Sequence, residues 1–115
     1  MKTIIKSGTL ITASDKFTAD IFVDGEKITQ IGEDLKDESA KIVDARGKLV
    51  MPGGIDPHTH FDLPMFNTVS SDDHYTGHKA AAFGGTTTVM DFVPQERATL
   101  KENVELWRAK ADPKA

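Results

Sequence analysis

The sequence predicts an α/β protein in two parts: a small β module over residues 1–52, then two β/α units over residues 53–115 that begin a parallel sheet. Three observations carry this expectation. Turn signals interrupt the first fifty residues at short intervals. After Met51-Pro52-Gly53-Gly54 the grammar changes to strand, helix, strand, helix. The second part also holds too few elements to close on itself, because a (β/α)8 barrel takes about 250 residues.

The β module begins with Lys2–Ile11, which is β-branched and apolar at intervals. Ala19–Val23 and Lys27–Ile31 flank Asp24-Gly25, a two-residue hairpin signal in which glycine can take positive φ. Lys41–Asp44 and Lys48–Met51 flank a further turn at Arg46-Gly47. Together these predict a small antiparallel sheet.

In the second part Ile55–Phe61 reads as a strand and Asp62–Ser70 as a loop. Ser70, with Asp73 three residues on, resembles a capping box that opens a helix running to about Phe83. Gly84-Gly85 ends that helix by supplying a left-handed residue. Thr86–Phe92 is long enough for a strand and too short for a helix. Thr99 with Glu102 forms a second capping box, and Leu100, Val104, Trp107 and Ala111 fall on one face of the helix it starts. A parallel strand left open at Thr86–Phe92 is an aggregation hazard, so the pattern reads as the first portion of a longer chain. A self-contained small α+β domain is the alternative.

Bulk composition narrows the function classes. The formal net charge is −4 and the basic residues are scattered, which gives nucleic-acid binding little electrostatic support. No apolar run approaches the roughly 18 residues that span a bilayer, and the N-terminus lacks a secretory apolar core. There is no cysteine, which fits a cytoplasmic protein and leaves His, carboxylates or modified side chains as metal donors.

The candidate chemistry sits at His58-Thr59-His60. Residues i and i+2 of a strand share a face, so two imidazoles stand side by side with Thr59 turned away. Both can reach one divalent ion at about 2.0–2.1 Å. They also lie at the C-terminal end of a strand, where parallel α/β proteins place their chemistry. A bare His-x-His shared by chance is the bland alternative, and the strand end and βα context weigh against it. Two histidines are one short of the usual three protein ligands, so further ligands must come from elsewhere. Asp56, two residues earlier on the same face, is expected to support the ligands rather than to be one. His74 and His78 are i, i+4 on the first helix, but Tyr75 stands where a zinc-protease motif needs glutamate, and an exposed face is expected for them.

The combined pattern is more specific. Met51-Pro-Gly-Gly-Ile-Asp-Pro-His-Thr-His-Phe-Asp62, Ser71-Asp-Asp73, Lys79-Ala-Ala-Ala-Phe-Gly-Gly-Thr-Thr-Thr88 and Asp91-Phe92 closely resemble the dihydropyrimidinase/hydantoinase branch of the cyclic amidohydrolases. The resemblance implies the start of a (β/α)8 TIM-like barrel preceded by part of a small β-sandwich. It implies hydrolysis of the cyclic amide of hydantoins or dihydropyrimidines, and assembly as a homo-oligomer, dimer or tetramer. It also implies two divalent ions, usually Zn2+, bridged by a carboxylated lysine and by hydroxide. By motif position His58 and His60 hold the more buried ion, and no residue of this segment is the proton shuttle. The lysine and the other ligands are expected beyond Ala115.

The loop after the first barrel strand is unusually apolar, with Phe61, Leu63, Pro64, Met65, Phe66 and Val69. It either packs on its own helix or a neighbouring subunit, or forms a lid over a substrate's apolar substituent, for which Leu63 and Met65 are the candidates. Phe61-Asp62 replaces the Leu-Arg typical of dihydroorotase-like chains, and Asp91-Phe92-Val93-Pro94 departs from the Asp-Met-Pro of allantoinase-like ones. The competing readings are another cyclic amidohydrolase such as an allantoinase, or a non-catalytic, oligomeric relative that has lost metal ligands. The latter commonly lacks the second histidine, which is present here as His60.

Overall fold

The computed structural model describes every residue from Met1 to Ala115, and the chain divides into two compact units, Met1–Pro52 and Gly53–Ala115. In the first, β1 (Lys2–Ile11), β2 (Lys16–Asp24), β3 (Lys27–Gly32), β4 (Lys41–Asp44) and β5 (Leu49–Val50) form one sheet in the order β3-β2-β1-β4. The first hairpin forms one residue later than its sequence predicts: Asp24 pairs with Lys27, so Gly25 and Glu26 make the turn, with Gly25 at φ +61°. The purely antiparallel sheet does not form. β4 and β5 both pair with β1 in parallel, β4 along its first half and β5 along its second. Arg46-Gly47 therefore joins two short strands that follow each other along β1, rather than closing a hairpin. Leu10, Ala19 and Ile21 form the core of this unit, with Ile5, Val23 and Val50 against them.

A bulge between Ile5 and Gly8 brings the two halves of β1 into register with β2. Ser7 takes φ +56° there, and its amide donates to Asp20 at 2.7 Å. Asp20 is buried on β2 and also accepts from Lys6 Nζ at 2.6 Å and the Leu35 amide at 3.0 Å. A buried carboxylate needs such partners, and the Lys6 ammonium holds its pKa below the usual carboxylate value.

The second unit has two parallel strands, β6 (Gly54–Thr59) and β9 (Thr86–Asp91), each followed by a helix. Between β6 and α1 (His74–Phe83) lies a short hairpin, β7 (Pro64–Met65) and β8 (Thr68–Val69). Its two-residue turn, Phe66-Asn67, has φ +47° and +61°. α1 starts one turn later than the Ser70 cap predicts. Asp73 is the N-cap, and its carboxylate and the Thr76 side chain satisfy each other's backbone amides. Ser70 is engaged elsewhere, accepting from the Leu63 amide at 3.0 Å. Gly85, at φ +85°, follows α1 as predicted.

The Thr99–Glu102 capping box opens α2 (Leu100–Ala111) as expected, but the packed face is rotated from the predicted one. Trp107 is 4% and Asn103 2% exposed, whereas Leu100 is 75% and Val104 46% exposed. Asn103 owes its burial to four hydrogen bonds that fasten the preceding loop: it accepts from the amides of Glu96 and Arg97 and donates to the carbonyls of Arg97 and Thr99. No helix is long and apolar enough to cross a membrane.

Candidate metal centre

The pleat of β6 sorts its last residues onto two faces. His58 ends one face within the strand and His60 continues it just beyond. Their Nε2 atoms are 3.1 Å apart, and the rings meet at 68°. That separation suits an N–H···N hydrogen bond or two lone pairs converging on one ion. Two nitrogens bound tetrahedrally at about 2.0–2.1 Å stand roughly 3.3 Å apart, close to the observed span. Phe92, just past β9, stacks on His58 with ring centroids 4.2 Å apart and lies 5.4 Å from His60. No group of three or more His, Cys, Asp or Glu side chains poised for a metal forms within the chain. The two imidazoles are the donors it brings together.

Asp56 stands behind this pair in the chain, and its Oδ1 accepts from the His58 amide at 3.1 Å. Its visible work is to fix the backbone that carries the first imidazole.

The opposite face belongs to Asp91, the last residue of β9. Its Oδ1 accepts from Thr59 Oγ1 and from the Phe61 amide, both at 3.0 Å, and its Oδ2 accepts from Trp107 Nε1 at 2.7 Å. Sequence reasoning saw Asp91 only as part of a motif. A sharper signal was available: a carboxylate ending an apolar strand needs donors, and a tryptophan on a packed helix face needs an acceptor.

His74 and His78 do not occupy the exposed face expected for them. His74 is only 2% exposed and neither of its ring nitrogens has a hydrogen-bond partner, while His78 is half-buried. The reason is Phe61, which turns away from the His58–His60 face and packs edge-on against both rings, at 5.6 and 5.2 Å. Gly77 makes room for it: a Cβ there would lie 2.2 Å from Phe61 Cε1.

The apolar loop is closed at its base. The Asp62 amide donates to the Asp72 carbonyl at 2.9 Å, and the Ser70 amide to the Leu63 carbonyl at 2.9 Å. Lys110 Nζ donates to the Asp62 carbonyl, and Lys114 Nζ bridges the carboxylates of Asp62 and Asp73 at 3.3 and 3.0 Å. The Thr76 amide, reinforced by Lys114, holds the Asp73 pKa down at about 2. Leu63 is half-buried near this base, whereas Met65 on β7 and Phe66 at the tip face outward.

Comparison with known proteins agrees with the sequence pattern. A D-hydantoinase of Geobacillus stearothermophilus is 47% identical over the whole chain, which covers 25% of that protein. A dihydropyrimidinase of Dictyostelium discoideum is 43% identical over 96% of the chain and 22% of its own length. The crystal structure of dihydropyrimidinase from Brevibacillus agri superposes with a TM-score of 0.92 at 49% identity, over all of this chain and 25% of that one. The chain thus spans about a quarter of the length of the curated relatives it matches. The model of the amidohydrolase family matches residues 41–106, a stretch that holds both histidines, Asp91 and most of α2, and the chain belongs to that family.

Proposed function

We propose that this chain supplies one half of the metal centre of a hydrolase that opens cyclic amides, with hydantoins and dihydropyrimidines as the substrate class. The observation that carries the reading is the convergence of His58 and His60 Nε2, 3.1 Å apart at the end of β6. The names of the relatives supply the substrate class. The remaining ligands, a carboxylated lysine among them, belong to the rest of the full-length protein. There the second unit starts a (β/α)8 barrel and the first joins a β-sandwich in a cytoplasmic homo-oligomer.

When bound, a divalent ion, Zn2+ by resemblance, would lower the pKa of water to about 7 and polarise the amide carbonyl. The chain's own residues have simpler tasks. His58 and His60 present neutral lone pairs and act as anchors rather than as bases. The Asp56 carboxylate holds the His58 backbone, and Phe92 limits rotation of the His58 ring. Leu63 and Met65, on a loop closed at its base, would shape the pocket for a substituent on the substrate ring.

The test is made on the full-length protein. Hydrolysis of hydantoin and dihydrouracil, followed by loss of ring absorbance, is expected for the wild type and lost in His58→Ala and His60→Ala together with bound metal. A wild type that binds metal but leaves both rings intact would exclude this substrate class and favour a non-catalytic or differently specific relative.

A further inference from the structure

We propose that Asp91 is a positioning residue that aims the His58–His60 pair from the opposite face of the sheet. The inference rests on the reading that this pair holds an ion.

His60 lies beyond the last residue of β6, where the ladder no longer fixes the backbone. One oxygen of Asp91 replaces the ladder by taking the hydroxyl of Thr59 and the amide of Phe61, the residues on either side of His60. The Phe92 amide donates to the Thr59 carbonyl at 3.1 Å, so the residue after Asp91 holds the same peptide from its other end. The Phe92 ring then stacks on His58. Both imidazoles are thereby referred to a single strand end.

The second oxygen ties this arrangement to α2 through the buried Trp107 indole N–H. The indole is held in turn by Lys110 Nζ, 4.1 Å above its ring. The Asp91 side chain is only 12% exposed and has no hydrogen bond to either histidine. It acts through the backbone and not as a ligand.

Its three donors all point at a carboxylate, which makes the site intolerant of an amide. In Asp91→Asn, an amide NH2 facing Trp107 Nε1 sets donor against donor at 2.7 Å; flipped, it deprives the Phe61 amide. Removing the indole N–H with Trp107→Phe restores a place for that amide.

The experiment uses full-length protein loaded with Co2+, whose visible absorption reports ligand geometry, together with chelator competition for affinity. Asp91→Asn is expected to weaken metal affinity about 10- to 100-fold and to alter the cobalt spectrum. Trp107→Phe alone is expected to keep the wild-type spectrum, and Asp91→Asn/Trp107→Phe to regain most of it. If Asp91→Asn lowers only the melting temperature, with spectrum and affinity as in the wild type, Asp91 is merely structural and the inference fails. If His58→Ala and His60→Ala both keep wild-type metal content, the ligand reading itself fails, which is a distinct outcome.

Discussion

Gly77→Ala tests how tightly the end of the histidine strand is wedged against α1. Alanine in the middle of a helix should stabilise the protein by about 1 kcal/mol relative to glycine. Here the new Cβ would lie 2.2, 2.4 and 2.9 Å from Phe61 Cε1, Cδ1 and Cζ. Carbon atoms pack at roughly 3.5–4.0 Å, so the ring must retreat by about 1.3 Å. It has little freedom to do so, because His74 and His78 stand edge-on beside it and its backbone amide is tied to Asp91. Overpacking of this kind costs about 1–3 kcal/mol, so the clash should outweigh the helix gain and leave a net loss of roughly 1 kcal/mol. The assay is the urea midpoint of full-length protein at fixed metal concentration, compared with Phe61→Leu and with the double variant. Gly77→Ala should lower the midpoint, and in the Phe61→Leu background it should raise it. A raised midpoint with Phe61 intact would show that the ring moves freely and would refute the wedge.

Other expectations concern groups away from the histidines. Asp20→Ala removes the carboxylate shared by the Lys6 ammonium and the part-buried amides of Ser7 and Leu35, and should destabilise the first unit by about 3 kcal/mol, read from denaturant unfolding. Asn103→Ala unfastens the loop before α2; a local loss of about 2 kcal/mol should speed amide exchange at Glu96 and Arg97 roughly 30-fold, and unchanged exchange would contradict its role. Asp73 has a folded-state pKa of about 2, below its ordinary value. Its contribution is therefore complete above the ordinary carboxylate pKa of about 4 and fades as pH falls toward 2. Stability measured from pH 5 to pH 2 should fall less steeply in Asp73→Asn, and parallel curves would count against a lowered Asp73 pKa.

Much of the architecture was legible because local chemistry specified it. Gly25 turned the first hairpin where positive φ is cheap, Gly85 ended α1, and Thr99 with Glu102 opened α2. The parallel pairing of β4 and β5 with β1 was not legible, since it depends on which strand lies nearby rather than on any residue in them. The β7–β8 hairpin was hidden for a different reason: Phe66 at φ +47° is an unfavourable choice that no turn rule anticipates. Capping residues near α1 were ambiguous because Ser70 and Asp73 are both good caps, and only the loop closure at Leu63 decides between them.

The site divides in the same way. The strand period put His58 and His60 on one face, and their rings do converge. Periodicity said nothing about what lies behind them. Asp91, Trp107 and His74 gain their places from contacts between β6, β9 and the helices, the longest joining Thr59 to Asp91 across 32 residues of chain. His74 was misjudged because its i, i+4 spacing with His78 is equally natural on an exposed face, and its burial depends on where Phe61 turns.

We read the 3.1 Å approach of the two Nε2 atoms as a ligand bite rather than an N–H···N hydrogen bond. Anomalous diffraction at the zinc edge, from crystals of the zinc-loaded full-length protein, separates the two. A ligand bite places a peak about 2.0–2.1 Å from Nε2 of both His58 and His60. A peak touching neither ring, with the imidazoles bonded to each other, would contradict it.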